Sequence, residues 1–554
     1  MLIIINLEIA QCGKCGSDKL KIEPMNIQIK KESKTNLAHL PNPNSYSPIA
    51  IGFDFTTFIK PSSLSDSNFS KLKSALKGTR VEFSKILQVF HQEFDLTNYR
   101  NDLMQRCGIT TIGENYPNFL KTNDLIIFPV ITDNIDSTIS STFCLTKGSS
   151  QPIAGVLNIN SRKINFQLSN IDLYLKNLIF HGIMHILGFD EDIFKNKNMI
   201  ETKGSISYIK SKNVLDKAKE HFGCSTITGI PLDNGLSHWD GRIMFEDSMV
   251  NLEFPEYIIS DITLAALEDT GFYKVNYYSG GIFKFGKNKG CEFLTKDCII
   301  NGKASFEEFC TVEDEPKCSS SRTLKSSCYI QEYSSNLPSA YQYFSDPKKG
   351  GLKEANYCPL PYENYYNRVS YFPDHCQFGI SGSDSYGEKI GKESLCFMSS
   401  LIPSSSTEDE TNEIPICYEV ECDTSKKNII IKIDSQRITC PTKKGPFTPS
   451  GFKGSIECPE FSEICSSNNG LVCNEMFTCF TEMANKNNYN YIISYYDYEG
   501  SPYNPIPPPI PPDDDDDDTI KPSPPPSSDS SCGLLGWKVA LIIASLILVY
   551  VKNK

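Results

Sequence analysis

The chain has 554 residues, 39% hydrophobic and 22% charged, with a formal net charge of −13. That is long enough for two or three domains with a sizeable core, and too acidic for the basic surface that neutralising phosphates requires, so a nucleic-acid partner is excluded. Of its 21 cysteines, fifteen fall between Cys291 and Cys479, a density that argues against a reducing cytosol and for a disulfide-bonded protein of the secretory pathway or cell surface.

In chain order, Met1 to Ala10 is a short apolar stretch ending in a small residue. It lacks a basic start and contains Glu8, and reads as a weak signal peptide. Residues 11–60 are polar, with a loop at Pro41 to Asn44, and form a candidate pro-region. Two readings stay open for Cys12 and Cys15: a thiolate placed on a metal, which would hold a zymogen latent, or a structural disulfide. Leu64 to Arg106 carries apolar residues at helical spacing, as in Phe83, Ile86, Leu87 and Phe90. Leu125 to Ile131 and Ile153 to Ile159 read as buried strands, and Asn170 with Asp172 supplies capping chemistry for the helix that follows. Together these predict an α+β domain over residues 61–290.

That helix reads LIFHGIMHILGFD from Leu178 to Asp190. His181 and His185 stand one turn apart on one face, the spacing that lets two imidazoles grip one metal ion. In the usual H-E-x-x-H pattern a Glu between them is the general base; here the position is Gly182. Gly188 follows three residues after His185. For the third ligand the candidates are Glu191, three residues past the glycine, and His238, in the stretch SHWDGRIMFEDSM that ends at Met249.

These residues resemble the leishmanolysin-like (invadolysin-like) zinc metallopeptidases, in particular their ciliate-type surface members. The likeness rests on His181, His185, Gly188, His238 and Met249, continues through Ser260 to Asn276 (SDITLAALEDTGFYKVN), and spans roughly Asn158 to Cys465. It implies a metzincin-like domain with zinc held by His181, His185 and His238. It also implies an apolar floor at Met249, and protein or peptide substrates cleaved by zinc-bound water. It further implies that Ile153 to Ile159 is the edge strand on which a substrate lies extended. The departure is Gly182, where the family has its catalytic Glu. General-base help contributes about 10²–10⁴-fold, so the chain as written is a slow or inactive peptidase unless Glu191 or Glu246 supplies a carboxylate. The alternative is a catalytically dead zinc-binding pseudopeptidase acting in adhesion or protein binding.

Residues 291–480 form a Cys-rich, β-containing C-terminal region, with a strand expected at Asn428 to Ile433. Residues 481–531 hold Pro-rich runs around Asp513 to Asp518 and read as an extended acidic stalk. Gly533 to Val551 is apolar apart from Lys538 and followed by lysines. It reads as a transmembrane segment or a glycolipid-anchor signal, with the ectodomain extracellular.

Overall fold

The computed structural model describes residues 15, 24–27, 46–168, 171–252, 258–277, 283–362, 375–377, 387–407, 412–465 and 497. The expected signal peptide, Cys12, Asn170, nearly all of the stalk and the C-terminal apolar segment lie outside them. No helix among the described residues is long and apolar enough to cross a membrane.

The architecture is mixed α/β. A five-stranded sheet is built from β1 (Met25–Ile27), β2 (Ile51–Phe53), β3 (Leu125–Ile131), β4 (Ile139–Lys147) and β5 (Gln151–Ile159), in the order β1-β4-β5-β3-β2. Strands β2, β3 and β5 run parallel, and β4 turns back antiparallel to β5. Two helices matter for the site: α1 (Asp66–Ile86) and α2 (Ile171–Leu187). Helix α2 is apolar nearly all round and almost wholly buried, as a helix enclosed in a core must be. It packs on α1 through Phe83 and Phe180, whose rings stack with centroids 4.0 Å apart. It stops where Gly188 takes φ = +111°, a conformation that costs glycine little. Tyr273 donates its hydroxyl to the carbonyl of Leu187, 3.0 Å away, satisfying one carbonyl that the helix end leaves open.

Two expectations are corrected. The helical spacing read through Leu87 and Phe90 breaks at Ile86: Leu87 is extended, and Leu87–Phe90 is a strand between Tyr46–Pro48 and Tyr273–Val275. Its alternation of buried Leu87 and Val89 with half-buried Gln88 and exposed Phe90 has the period of a strand. Nor is Ile153 to Ile159 an edge. It is covered on one side by β3 and on the other by β4, so β4 is the strand that faces outward, toward β1.

A first core runs from Ile49 to Leu360 and a second from Leu395 to Cys465. The second is built on a six-stranded antiparallel sheet that includes Asn428–Ile433, as expected. Eight disulfides staple the described chain; six of them lie wholly beyond residue 297, from Cys298–Cys358 to Cys440–Cys458. Such cross-links stabilise chiefly by restricting the unfolded chain.

Because α2 is held against α1 by the stacked rings, Phe180→Ala is expected to lower the unfolding free energy by about 3–5 kcal/mol in urea denaturation. A loss below about 1 kcal/mol would show that this stack does not join the two helices.

Candidate metal centre

Helix α2 presents His181 and His185 from successive turns, and the loop beyond it brings in His238. All three imidazoles are buried. Their Nε2 atoms form a triangle with sides of 3.1 Å (His185 to His181), 3.2 Å (His185 to His238) and 3.4 Å (His238 to His181). A tetrahedral zinc with Zn–N bonds of about 2.0–2.1 Å separates its ligand atoms by about 3.3–3.4 Å, so the triangle is the right size for one face of that tetrahedron. The outer nitrogens are tied back: His181 Nδ1 donates to the carbonyl of Ser248, and His185 Nδ1 to that of Phe189 at 2.9 Å. These bonds assign the hydrogen to Nδ1 in both rings and turn both Nε2 lone pairs inward. His238 Nδ1 lies 3.6 Å from the Asp233 carboxylate.

The fourth member is Cys15. Its Sγ and the three histidine nitrogens lie within 4.8 Å of one another. Of the two readings left open for this residue, a thiolate on a metal is the one that this placement beside three imidazole nitrogens accommodates. Its backbone N–H donates to Asn251 Oδ1 at 3.2 Å, and it forms a parallel bridge with Ile139, the first residue of β4. Farther along, β1 pairs in parallel with Leu145 to Lys147 at the other end of β4. The N-terminal segment therefore touches the outward edge of the sheet at both ends while its thiol enters the histidine cluster. Burial alone would raise that thiol's pKa, but the charges of His185 and His181 and their hydrogen bonds outweigh it and hold it well below its ordinary value. Burial lowers His185 in turn, although Cys15 pulls it upward.

Met249 is fully buried in a turn that is fixed from both sides. Its carbonyl accepts from Trp239 N at 2.8 Å, and its N–H donates to the Asp247 carboxylate at 2.8 Å. Asp247 also accepts from Ser260 N and from Thr263 Oγ1, which itself accepts from Trp239 Nε1. The turn between Asp247 and Met249 is Ser248, whose carbonyl orients His181. The Asp247–Thr263–Trp239 relay thus positions a ligand without touching the centre, and no sequence motif announced it.

Gly182 lies on the sheet-facing side of α2, its carbonyl accepting from Ser141 Oγ at 2.7 Å. A Cβ built there would stand 2.5 Å from Leu157 Cδ1 and 2.8 Å from Ile139 Cδ1. The first atom of a side chain at this position meets two methyl groups. Neither substitute carboxylate is available: Glu191 pairs with Lys195, and Glu246 accepts from the N–H groups of Ser320 and Ser321 at 3.0 and 3.1 Å. Among the described residues, no Asp or Glu joins the four metal-capable side chains, and Glu191 is not the third ligand.

The family model described as leishmanolysin matches residues 85–470. A leishmanolysin homolog of Crithidia fasciculata is 26% identical over 388 residues, 65% of this chain and 58% of that protein. The leishmanolysin of Leishmania tropica is 23% identical over 356 residues (59% and 52%), and a leishmanolysin-like peptidase of Caenorhabditis briggsae 23% over 408 residues (57% and 61%). The matched part thus spans between about half and three fifths of these relatives' own length.

Asp247 supplies a pH signature. Burial, working against its hydrogen bonds to Ser260, Met249 and Thr263, pushes its carboxyl up to about 6. A carboxyl raised in the folded state binds its proton more tightly there than in the unfolded chain. Its contribution to stability is therefore largest at low pH and is lost as pH rises through about 6. Relative to Asp247→Asn, the natural protein is expected to lose about 1 kcal/mol of unfolding free energy between pH 5 and pH 7.5. A pH-independent difference in urea denaturation would contradict the raised carboxyl.

Proposed function

Because the chain belongs to the leishmanolysin family, we propose that it is a zinc metallopeptidase-type domain that acts on protein or peptide chains, with turnover restrained in two ways. The first restraint is Cys15, which fills the position a substrate carbonyl or water would need. The second is the missing base at Gly182. The observation that carries this reading is the triangle of Nε2 atoms with 3.1–3.4 Å sides, the size of one face of a zinc tetrahedron, beside a helix position where a Cβ would already press on the side-chain tips of Leu157 and Ile139.

His181, His185 and His238 would hold the zinc, which would supply a Lewis acid and activate a water. The chain's own residues do the rest. The Ser248 and Phe189 carbonyls hold two of the imidazoles, and the buried Met249 next to Ser248 is fixed through its backbone by Trp239 and Asp247. The outward edge of β4 offers main-chain groups to an extended peptide once the N-terminal segment leaves it. A second reading, favoured by the packing at Gly182, keeps zinc and the peptide groove but assigns them to adhesion or protein binding. The proposed setting is the cell surface, with a signal peptide, an acidic stalk and a C-terminal anchor.

The test compares zinc content and cleavage of a denatured protein substrate by three proteins: the natural chain, Cys15→Ala, and Cys15→Ala combined with Gly182→Glu and Leu157→Ala. All three are expected to hold one zinc. The triple variant should cleave about 10²–10⁴-fold faster than Cys15→Ala alone. Equal rates would show that a base other than residue 182 is at work; absence of zinc would remove the metallopeptidase reading altogether.

A further inference from the structure

Away from the metal centre, the described residues enclose a cavity of about 390 Å³ where the two cores meet. This lies within the range of small-molecule sites, and its lining is dominated by charged side chains. One part comes from the turn at Lys284 to Lys289, next to Phe283 and Phe285 of the first core. Another comes from Lys444, Glu457 and Glu463, next to Ile456 and Ile464 of the second.

Much of this charge is internally balanced. Glu307 takes both Lys289 and Lys444, and Glu463 accepts from Lys444 at 2.9 Å while lying 3.8 Å from Arg322. Among the basic residues of the lining, Lys284 stands apart. It lines the cavity, yet its ammonium forms no hydrogen bond or ion pair with any described residue. Two further cations act on it, Lys287 from the same turn and Arg322 from the facing segment, opposed by Glu463. Arg322 is held in place by its bond to the Cys396 carbonyl at 3.2 Å and by the Phe397 ring 5.7 Å away. Burial and the Lys287 charge push the Lys284 ammonium down to about 7, with Arg322 adding to the effect and Glu463 countering it. Lys284, Lys287 and Arg322 thus crowd three basic groups on one side of the cavity, and an oxyanion seated among them would favour the charged form of Lys284 that burial and its neighbours disfavour.

The volume is many times the roughly 30 Å³ of one water, so an oxyanion alone would not fill it. Glu457 and Glu460, also in the lining, offer carboxylate oxygens that accept from hydroxyl groups. We propose that this cavity binds a phosphorylated or sulfated monosaccharide, its oxyanion seated against Lys284, Lys287 and Arg322 and its hydroxyls toward Glu457 and Glu460. The site shares no residue with the histidine cluster, and its occupancy does not depend on peptidase activity.

The test is calorimetric titration of the purified full chain with inorganic phosphate, inorganic sulfate, glucose 6-phosphate, N-acetylglucosamine 6-sulfate and plain glucose. One of the two esters is expected to bind at least tenfold more tightly than its inorganic ion and than glucose. Lys284→Met should weaken that binding at least tenfold, while Lys426→Met, on the exposed surface, leaves it unchanged. Equal affinity for the inorganic ion would reduce the site to a bare oxyanion and overturn the sugar assignment. Failure of both esters to bind, or unchanged binding by Lys284→Met, would overturn the site. Without ligand, Lys284→Met should unfold at or above the natural midpoint, because it removes an ammonium whose charge burial and Lys287 disfavour. A fall of more than about 5 °C would mean that Lys284 is a structural residue instead.

Discussion

The metal centre depends on three imidazoles meeting at one point, two of them held there by backbone carbonyls. Histidine side chains at i and i+4 on a helix meet only if both rings turn the same way, and that rotation is set here by the carbonyls of Ser248 and Phe189. Phe189 exists as an acceptor because Gly188 breaks the helix immediately after its last turn. Ser248 exists as one because Asp247, Thr263 and Trp239 freeze the turn that carries it. The site is thus assembled by the same groups that end a helix and close a turn.

Against that assembly, the absent carboxylate is not an isolated vacancy. Leu157 and Ile139 occupy the space next to Gly182, and Ile139 is also the residue that bridges to Cys15 at the edge of the sheet. One side chain therefore connects the filled position on α2 with the segment that delivers the thiol. A substitution at residue 182 alone would displace the tips of both neighbours before its carboxylate reached the centre. Restoring a base to this fold is a packing problem as well as a chemical one.

Much of the centre was legible in sequence because its parts are local: the i,i+4 histidines, the helix-stopping glycine, and the third histidine in its SHW setting with Met249 beyond. The strand Leu125–Ile131 was equally plain, as an apolar run. What escaped was non-local. Strand β4 reads ISSTFCLTK, too polar for a buried run, yet all nine residues are buried because β5 pairs along its length and helix α2 packs against it. Hydrophobic spacing could not see α1 end at Ile86, since Phe83 and Ile86 before the change and Leu87 and Val89 after it are all apolar. Cys12 and Cys15 were equivalent until one of them was placed beside three imidazoles, and Asp247 gave no sign that its carboxylate would hold a turn.

The most direct measurement is X-ray absorption at the zinc edge of the full chain, before and after replacement of Cys15 by alanine. The expected natural spectrum has three nitrogen-type neighbours at about 2.0–2.1 Å and one sulfur at about 2.3 Å, and the sulfur disappears in the variant while zinc is retained. A spectrum with no sulfur in the natural chain, or loss of the metal on removing Cys15, would contradict a centre in which three histidines hold the metal and the thiol caps it.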